Sequence, residues 1–296
     1  MQRGSAFSIP VELRANDVIQ HILNIDSRFR ESAEQSSSSQ FYFRLKTPVK
    51  NVLRIRITSV EFPNSYYAFS AARKNLAFNV IYGTPPTPNT YPVRIPPGNY
   101  NINSLIDVLT TALSGISWLS VDFNPEQALF IFTGNQRFSI DTTFESINRP
   151  FDYGLGYNLG FTRGGHIASL VSPGTYSISS DSYVGAFGDN YVFLQVNDYG
   201  CVRQTLPDNE FMSLAKIVFK EDKLNFENDD YGGGHIKEVV FPSPVDLTRF
   251  FIQIRDPYGT LVELGAAQFS FSMEVLEVKN SSLYDTIRDS LTLQYR

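Results

Sequence analysis

The sequence contains little cysteine and little histidine, and both shortages limit what the protein can do. Cys201 is the single cysteine among 296 residues, so no disulfide can form within the chain. A chain without disulfides is typical of a reducing compartment. A structural zinc site is improbable with so few histidine and cysteine ligands. The histidines are His21, His166 and His235, and there is one cysteine. We therefore predict neither a metal site nor a cofactor site.

Long apolar runs and dense basic stripes are also missing. No stretch approaches the roughly 18 apolar residues of a membrane-spanning helix, and residues 1–17 lack the pattern of a secretory signal. Residues 35–110 carry eight Lys or Arg against two Asp or Glu, whereas residues 111–296 carry 13 against 23. This distribution argues against direct nucleic-acid binding. The uneven charge has two interpretations. The basic segment is a solvated strand face and the acidic residues lie in loops, or the two parts meet in head-to-tail contact between copies.

Aromatic residues, by contrast, are abundant, with 24 Phe and 16 Tyr. Apolar and polar residues alternate with a period of two in residues 53–58, 250–255 and 268–275. Such alternation is what a strand with one buried face requires. About thirteen short segments of strand character, separated by Pro, Gly and Asn turn signals, predict an all-β fold.

One helix interrupts this pattern. Residues 101–113 place apolar side chains along a single helical stripe, with Asn101 as a candidate N-cap and Gly115 as a candidate end. We therefore predict one packed helix near 101–114.

Signatures of catalysis are absent from the sequence, which has no GxSxG, HExxH, P-loop or GxGxxG motif. Two Gly-Gly-His-Ile tetrapeptides, at 164–167 and 233–236, could bring two histidines to a metal, but no third ligand stands at a suitable spacing. We interpret them as glycine turns that lead into strands. The protein is therefore not predicted to be an enzyme, and no catalytic residue is assigned.

Several segments taken in chain order form a family pattern. They are residues 23–30 (LNIDSRFR), 49–67, 95–100 (IPPGNY), 159–161 (LGF), 250–259 with its Asp-Pro-Tyr-Gly turn, and 269–275 (FSFSMEV). Together they resemble minor capsid proteins of the nucleocytoplasmic large DNA viruses. The resemblance extends over residues 20–280.

The resemblance implies a jelly-roll-type antiparallel β-sandwich with long loops. It also implies a structural subunit of an icosahedral shell, a minor capsid or vertex protein that cements major capsid protein assemblies. The implied partners are the major capsid protein and other minor capsid proteins, with self-association left open and an internal viral membrane nearby. The implied location is the virion, assembled in the host cytoplasm. A jelly-roll module that binds carbohydrate or a receptor is the alternative, followed by a sandwich-fold hydrolase.

The predicted domain boundaries follow from this comparison and from local composition. Residues 1–39 are expected to form an N-terminal arm and a serine-rich linker, in which 18–25 is alternatively a strand. The sandwich is expected over 40–280, with an insertion at 142–190 that accounts for the excess of strands. Residues 281–296 are expected to form a helical tail.

Charged and aromatic side chains in two of these segments are the candidate assembly contacts. Arginines there could pair with carboxylates of a neighbouring subunit, and aromatic side chains are typical of subunit contacts. The candidates are Asp26, Arg28, Phe29, Arg30, Arg54, Arg56, Tyr66 and Tyr67.

Overall fold

The computed structural model describes residues 17–146, 154–184, 188–206, 209–220, 225–229 and 237–280. All strand pairs among these residues are antiparallel and helices are few, so the predicted all-β fold is confirmed. The predicted helical tail at 281–296 lies outside the described residues.

The helices and strands are numbered in chain order. They are β1 (Val18–Asp26), β2 (Gln40–Pro63), β3 (Ala77–Tyr82), β4 (Asn89–Arg94), α1 (Ile102–Ala112), β5 (Leu119–Asn124), β6 (Leu129–Gly134), β7 (Phe138–Asp141), α2 (Leu155–Asn158), β8 (Gly165–Ile167), β9 (Ser169–Ser172), β10 (Thr175–Ser179), β11 (Tyr191–Val196), β12 (Val202–Thr205), β13 (Glu210–Ser213), β14 (Ala215–Val218), β15 (Phe226–Asp229), β16 (Lys237–Arg255) and β17 (Ser270–Val278). Short 3-10 helices occupy Ser27–Phe29 and Ser114–Ile116.

The chain forms two compact units. The first contains the residues up to Tyr66 and those from Asn190 onward, and the second is the intervening Tyr67–Asp189. The insertion expected at 142–190 therefore lies, up to residue 189, within a larger unit that begins at residue 67. Strands β3 to β7 of this unit lie before residue 142, and the expected insertion contains strands β8 to β10.

The first unit is built on one sheet in the order β1-β17-β2-β16-β11-β14, with β15 also paired to β2. Its two longest strands, β2 and β16, pair at both ends but change register three times between Val240 and Arg249, first between Val240 and Val245. Pro242 and Pro244 occupy this interval, and proline cannot donate a ladder hydrogen bond. The register change lets one long strand pair continue through the interruption.

Aromatic rings fill the core of the first unit. The Phe269 ring lies 6.0 Å from Phe41 and 5.9 Å from Phe62, measured between ring centroids. Phe250 and Phe271 come from the alternating segments 250–255 and 268–275 and are 0% and 1% exposed. The alternation therefore identified the faces that are buried.

Of the segment 1–39 expected to be an arm and linker, the described residues 17–39 are integrated into this unit, and residues 1–16 lie outside the described residues. Residues 18–25 lie in β1, which pairs with β17 along its full length. The serine-rich stretch 31–39 is tied down at both ends: Glu31 N–H donates to Tyr42 O at 2.8 Å, and Ser39 O accepts from Ile254 N–H at 2.9 Å. The Ser36 hydroxyl lies within hydrogen-bonding distance of Glu31 O and Ser32 O, and the Ser37 and Ser39 hydroxyls hydrogen-bond to each other, whereas the buried Ser38 hydroxyl has no partner among the described residues.

The second unit contains two four-stranded sheets, β4-β3-β7-β8 and β5-β6-β10-β9. The predicted helix is confirmed as α1, and the Asn101 side chain caps it by accepting from Ser104 N–H at 2.9 Å. The helix ends at Ala112 rather than at Gly115. Gly115 instead allows close packing, because a Cβ there would lie 2.6 Å from the Tyr91 hydroxyl oxygen.

Candidate assembly surface

The 3-10 turn that follows β1 is held by a clamp between Asp26 and Arg28. Asp26 is 4% exposed, and its Oδ1 accepts from the Arg28 backbone N–H at 2.8 Å. Arg28 Nε also donates to Oδ1 at 3.0 Å and to Oδ2 at 2.9 Å. The hydrogen bonds from the Arg28 side chain lower the pKa of Asp26, although burial acts in the opposite direction. The carboxylate therefore remains charged at neutral pH and fixes the turn.

Phe29 projects from this clamped turn into solvent and is 72% exposed. The Arg28 guanidinium lies 5.8 Å from the centroid of the Phe29 ring, and the Arg28 side chain is itself 67% exposed. Exposed aromatic and arginine side chains are enriched in protein interfaces. The turn thus presents an apolar ring and a cation together on a rigid backbone.

Arg30 faces the protein and braces the same turn. Its Nη1 donates to Ser27 O at 2.7 Å and to Gln268 Oε1 at 2.9 Å, and its Nη2 donates to Ala33 O at 3.0 Å. The Ser27 hydroxyl also donates to Gln268 Oε1 at 2.8 Å. Arg30 therefore joins the turn to the loop that precedes β17, a role the sequence did not indicate.

Arg54 and Arg56 converge on a buried carboxylate of the same unit. Glu274 is 3% exposed; its Oε1 accepts from Arg54 Nη2 at 2.8 Å, and its Oε2 accepts from Arg56. Gln20 Nε2 donates to Oε2 at 2.7 Å, and Glu238 lies 3.8 Å from Arg54. Both arginines were predicted as contacts to another subunit. In the structure they link β2 to β17, and Gln20 links β1 to the same carboxylate.

The two candidate tyrosines are neighbours in the sequence but have different surroundings. Tyr66 is 5% exposed, and its ring centroid lies 5.9 Å from that of Phe219 in the core of the first unit. Tyr67, the first residue of the second unit, is 53% exposed. Among the candidate contacts, Arg28, Phe29 and Tyr67 are therefore the residues with the largest exposed fractions.

The sequence analysis missed an apolar strand edge. β1 stands at one end of its sheet, so its outer edge has no strand partner among the described residues. Ile22 on this strand is 67% exposed and Ile19 is 37% exposed. The sequence did contain a signal for this exposure. Side chains alternate between the two faces of a strand, and Leu23 and Ile25 face the core, so Ile22 lies on the opposite face.

A second exposed apolar group lies on β8 and β9 in the other unit. Ile167, Leu170 and Val171 are 63%, 61% and 62% exposed. The surrounding residues 164–180 contain no Lys, Arg, Asp or Glu. Exposed strand edges commonly carry charge to prevent pairing, so the lack of charge in this stretch was the available signal.

Within the ranges that the structure describes, no group of three or more His, Cys, Asp or Glu side chains is placed to hold a metal ion. His166 Nε2 lies 2.8 Å from Thr162 O, and its Nδ1 lies 3.5 Å from the Asp181 carboxylate. His235, from the second Gly-Gly-His-Ile tetrapeptide, is outside those ranges. The same part of the chain contains no helix long and apolar enough to cross a membrane.

Comparison with known proteins adds a family assignment. Residues 13–196 match the family described as "Family of unknown function (DUF5901)". No curated protein matches the chain. Because the match extends over more than half of the sequence, the protein belongs to this family of unknown function.

Proposed function

We propose that this protein is a structural subunit of an icosahedral virus shell, a minor capsid or vertex protein that joins major capsid protein assemblies through protein–protein contacts. The observation that carries the proposal is the presentation of Phe29, which is 72% exposed on a turn fixed by Asp26, Arg28 and Arg30. The proposal also draws on the resemblance of the ordered segments between residues 20 and 280 to minor capsid proteins.

A rigid turn favours binding because little conformational freedom is lost when a partner docks. The Asp26–Arg28 clamp holds the backbone before Phe29, and Arg30 holds it after Phe29, before any partner arrives. Aromatic anchors that enter a pocket on the partner commonly dominate the binding energy of an interface. Phe29 has the exposure and the support that such an anchor needs.

The proposed partners are the major capsid protein and other minor capsid proteins, met in the virion after assembly in the host cytoplasm. Arg28 would pair with a carboxylate at the rim of the Phe29 pocket, since 67% of its side chain remains accessible. Tyr67, 53% exposed, supplies a further aromatic contact on the second unit.

A variant that removes the ring tests the proposal. We expect Phe29→Ser to reduce incorporation of the protein into particles at least about tenfold, as loss of a hot spot worth about 1.4 kcal/mol or more would do. Incorporation is measured as the ratio of this protein to the major capsid protein in purified particles. The thermal midpoint of the isolated variant should be unchanged, because the ring is mostly in solvent.

Tyr183→Ser is the matched control. Tyr183 is 75% exposed and lies on the second unit, so its loss removes a similar apolar area elsewhere. Normal incorporation of Phe29→Ser would contradict the assigned role of this turn. An equal decrease in both variants would contradict it as well.

A further inference from the structure

We propose that two copies of this protein associate through β1, pairing their outer edges antiparallel about a twofold axis that passes beside Ile22. The pairing would continue the sheet of the first unit from one copy into the other. The partner is a second copy of this chain, and the inference goes beyond the shell proposal because it concerns the isolated protein.

The edge of β1 is long, regular and apolar. Nine consecutive residues, Val18–Asp26, pair with β17 without a register shift, so their outer backbone groups form an even row. The strand contains no lysine, arginine or proline. Natural proteins commonly protect exposed edges with charges, proline or bulges. Apart from Asp26 at its last position, β1 has none of these devices, which indicates an edge that is paired in the working state.

The sequence of β1 is self-complementary about Ile22. In an antiparallel pair centred there, Ile22 meets Ile22 of the second copy, and Gln20 meets Asn24. Ile19 then faces Ile25, and His21 faces Leu23. At the axis isoleucine meets isoleucine, and on either side of it amide meets amide, which are favourable cross-strand pairs. Ile25 is already buried in the core, so the matching that counts is that of residues 20–24. An isologous dimer requires this kind of self-matching.

The backbone geometry selects this type of register. Residues whose N–H and C=O point away from β17 alternate along β1. To form a ladder, each residue with outward N–H and C=O groups must lie opposite another such residue of the second copy. Because such residues alternate, two opposed residues must both have even numbers or both have odd numbers. The register centred on Ile22 meets this condition at each position, because it opposes residues whose numbers sum to an even value.

Charge and exposure agree with the same arrangement. The charged carboxylate of β1 belongs to Asp26, which would lie opposite Val18 of the second copy, so no like charges meet. Ile22, at the centre, is the most exposed isoleucine of the strand at 67%. Gln20 uses its Nε2 on Glu274, which leaves its carbonyl oxygen to accept from Asn24 of the second copy.

Disulfide trapping of the full chain tests the register. In a Cys201→Ser background, oxidised Ile22→Cys should form a covalent dimer, since opposed Cα atoms lie about 4.5–5.5 Å apart, a separation that a disulfide spans. Ile19→Cys is the matched control: two copies of position 19 would be roughly 20 Å apart along the strands. A mixture of Gln20→Cys and Asn24→Cys proteins should also cross-link.

A second measurement tests the surface without cysteine. We expect the wild-type protein to sediment with a concentration-dependent dimer and Ile22→Lys to sediment as a monomer, because two lysines would meet at the axis. Val171→Lys alters an apolar residue of similar exposure, 62%, on β9 and should dimerise normally.

Failure to trap Ile22→Cys, or equal trapping at position 19, would overturn the proposal. A dimer that survives Ile22→Lys would overturn it too. Each of these results leaves the shell proposal untouched, because that proposal is judged on incorporation into particles.

Discussion

Asp26 shows how one buried carboxylate fixes an exposed turn. It is 4% exposed itself, yet it fixes the turn from which Phe29 projects. A binding role was predicted for Asp26 together with Arg28. In the structure the two side chains bind each other, and the exposed part of Arg28 remains available.

The lowered pKa of Asp26 gives a pH-dependent prediction. A carboxylate whose folded pKa lies below its usual value of 3.8 adds stability above that pH and loses it as the pH falls through the folded value. We expect Asp26→Asn to lower the free energy of unfolding by about 1–3 kcal/mol at neutral pH. Urea titrations of both proteins should show this difference shrink below about pH 4.

Asp107→Asn provides the control, because Asp107 is exposed on α1. Its effect should stay within about 0.5 kcal/mol at each pH. A difference between wild type and Asp26→Asn that is constant with pH would show that the charge of Asp26 does not stabilise the fold.

At the scale of elements, Glu274 connects three strands of the first unit. It lies on β17 and accepts hydrogen bonds from Arg54 on β2 and Gln20 on β1. Arg56 of β2 binds the same carboxylate. Edge strand β1 is therefore joined to the sheet by side chains as well as by its ladder with β17.

We expect Glu274→Gln to lower the free energy of unfolding by roughly 3 kcal/mol, since it leaves two arginines facing a neutral amide. Glu238→Gln is the matched control. Glu238 lies 3.8 Å from Arg54, and its side chain is 34% exposed, so its loss should change stability by less than about 1 kcal/mol. Chemical denaturation measures both. Equal losses of unfolding free energy in the two variants would contradict the stabilising role assigned to Glu274.

The sequence predicted which face of a strand is buried better than it predicted which strand lies next to it. Alternation located the buried rows of β16 and β17, and the stripe with Asn101 located α1 and its cap. The same alternation puts Glu274 on the polar face of β17 but does not indicate that it is buried. Register between β2 and β17 brings it against Arg54 and Arg56, and register depends on pairing between distant segments.

The exposure of the candidate contacts also depends on which distant segments pack together, so the sequence could not predict it. Tyr66 and Tyr67 have the same side chain and adjacent positions, yet one is 5% and the other 53% exposed. The boundary between the two compact units falls between them. Local sequence does not reveal such a boundary, because it is defined by which distant strands each side joins.

At the scale of the whole molecule, two units with separate apolar clusters carry exposed groups of different kinds. The first unit presents the Phe29 turn and the β1 edge, and the second presents Tyr67 and the apolar residues of β8 and β9. A protein with several such groups is suited to contact more than one neighbour. This is the physical basis for proposing a structural role.

The most direct test of that role is cross-linking mass spectrometry of purified virus particles. The account predicts that this protein is present at a fixed ratio to the major capsid protein, with cross-links that join the first unit to it. Absence from particles, with the protein abundant and soluble in infected cells, would contradict the account. The carbohydrate-binding and hydrolase alternatives would then be the functions to test.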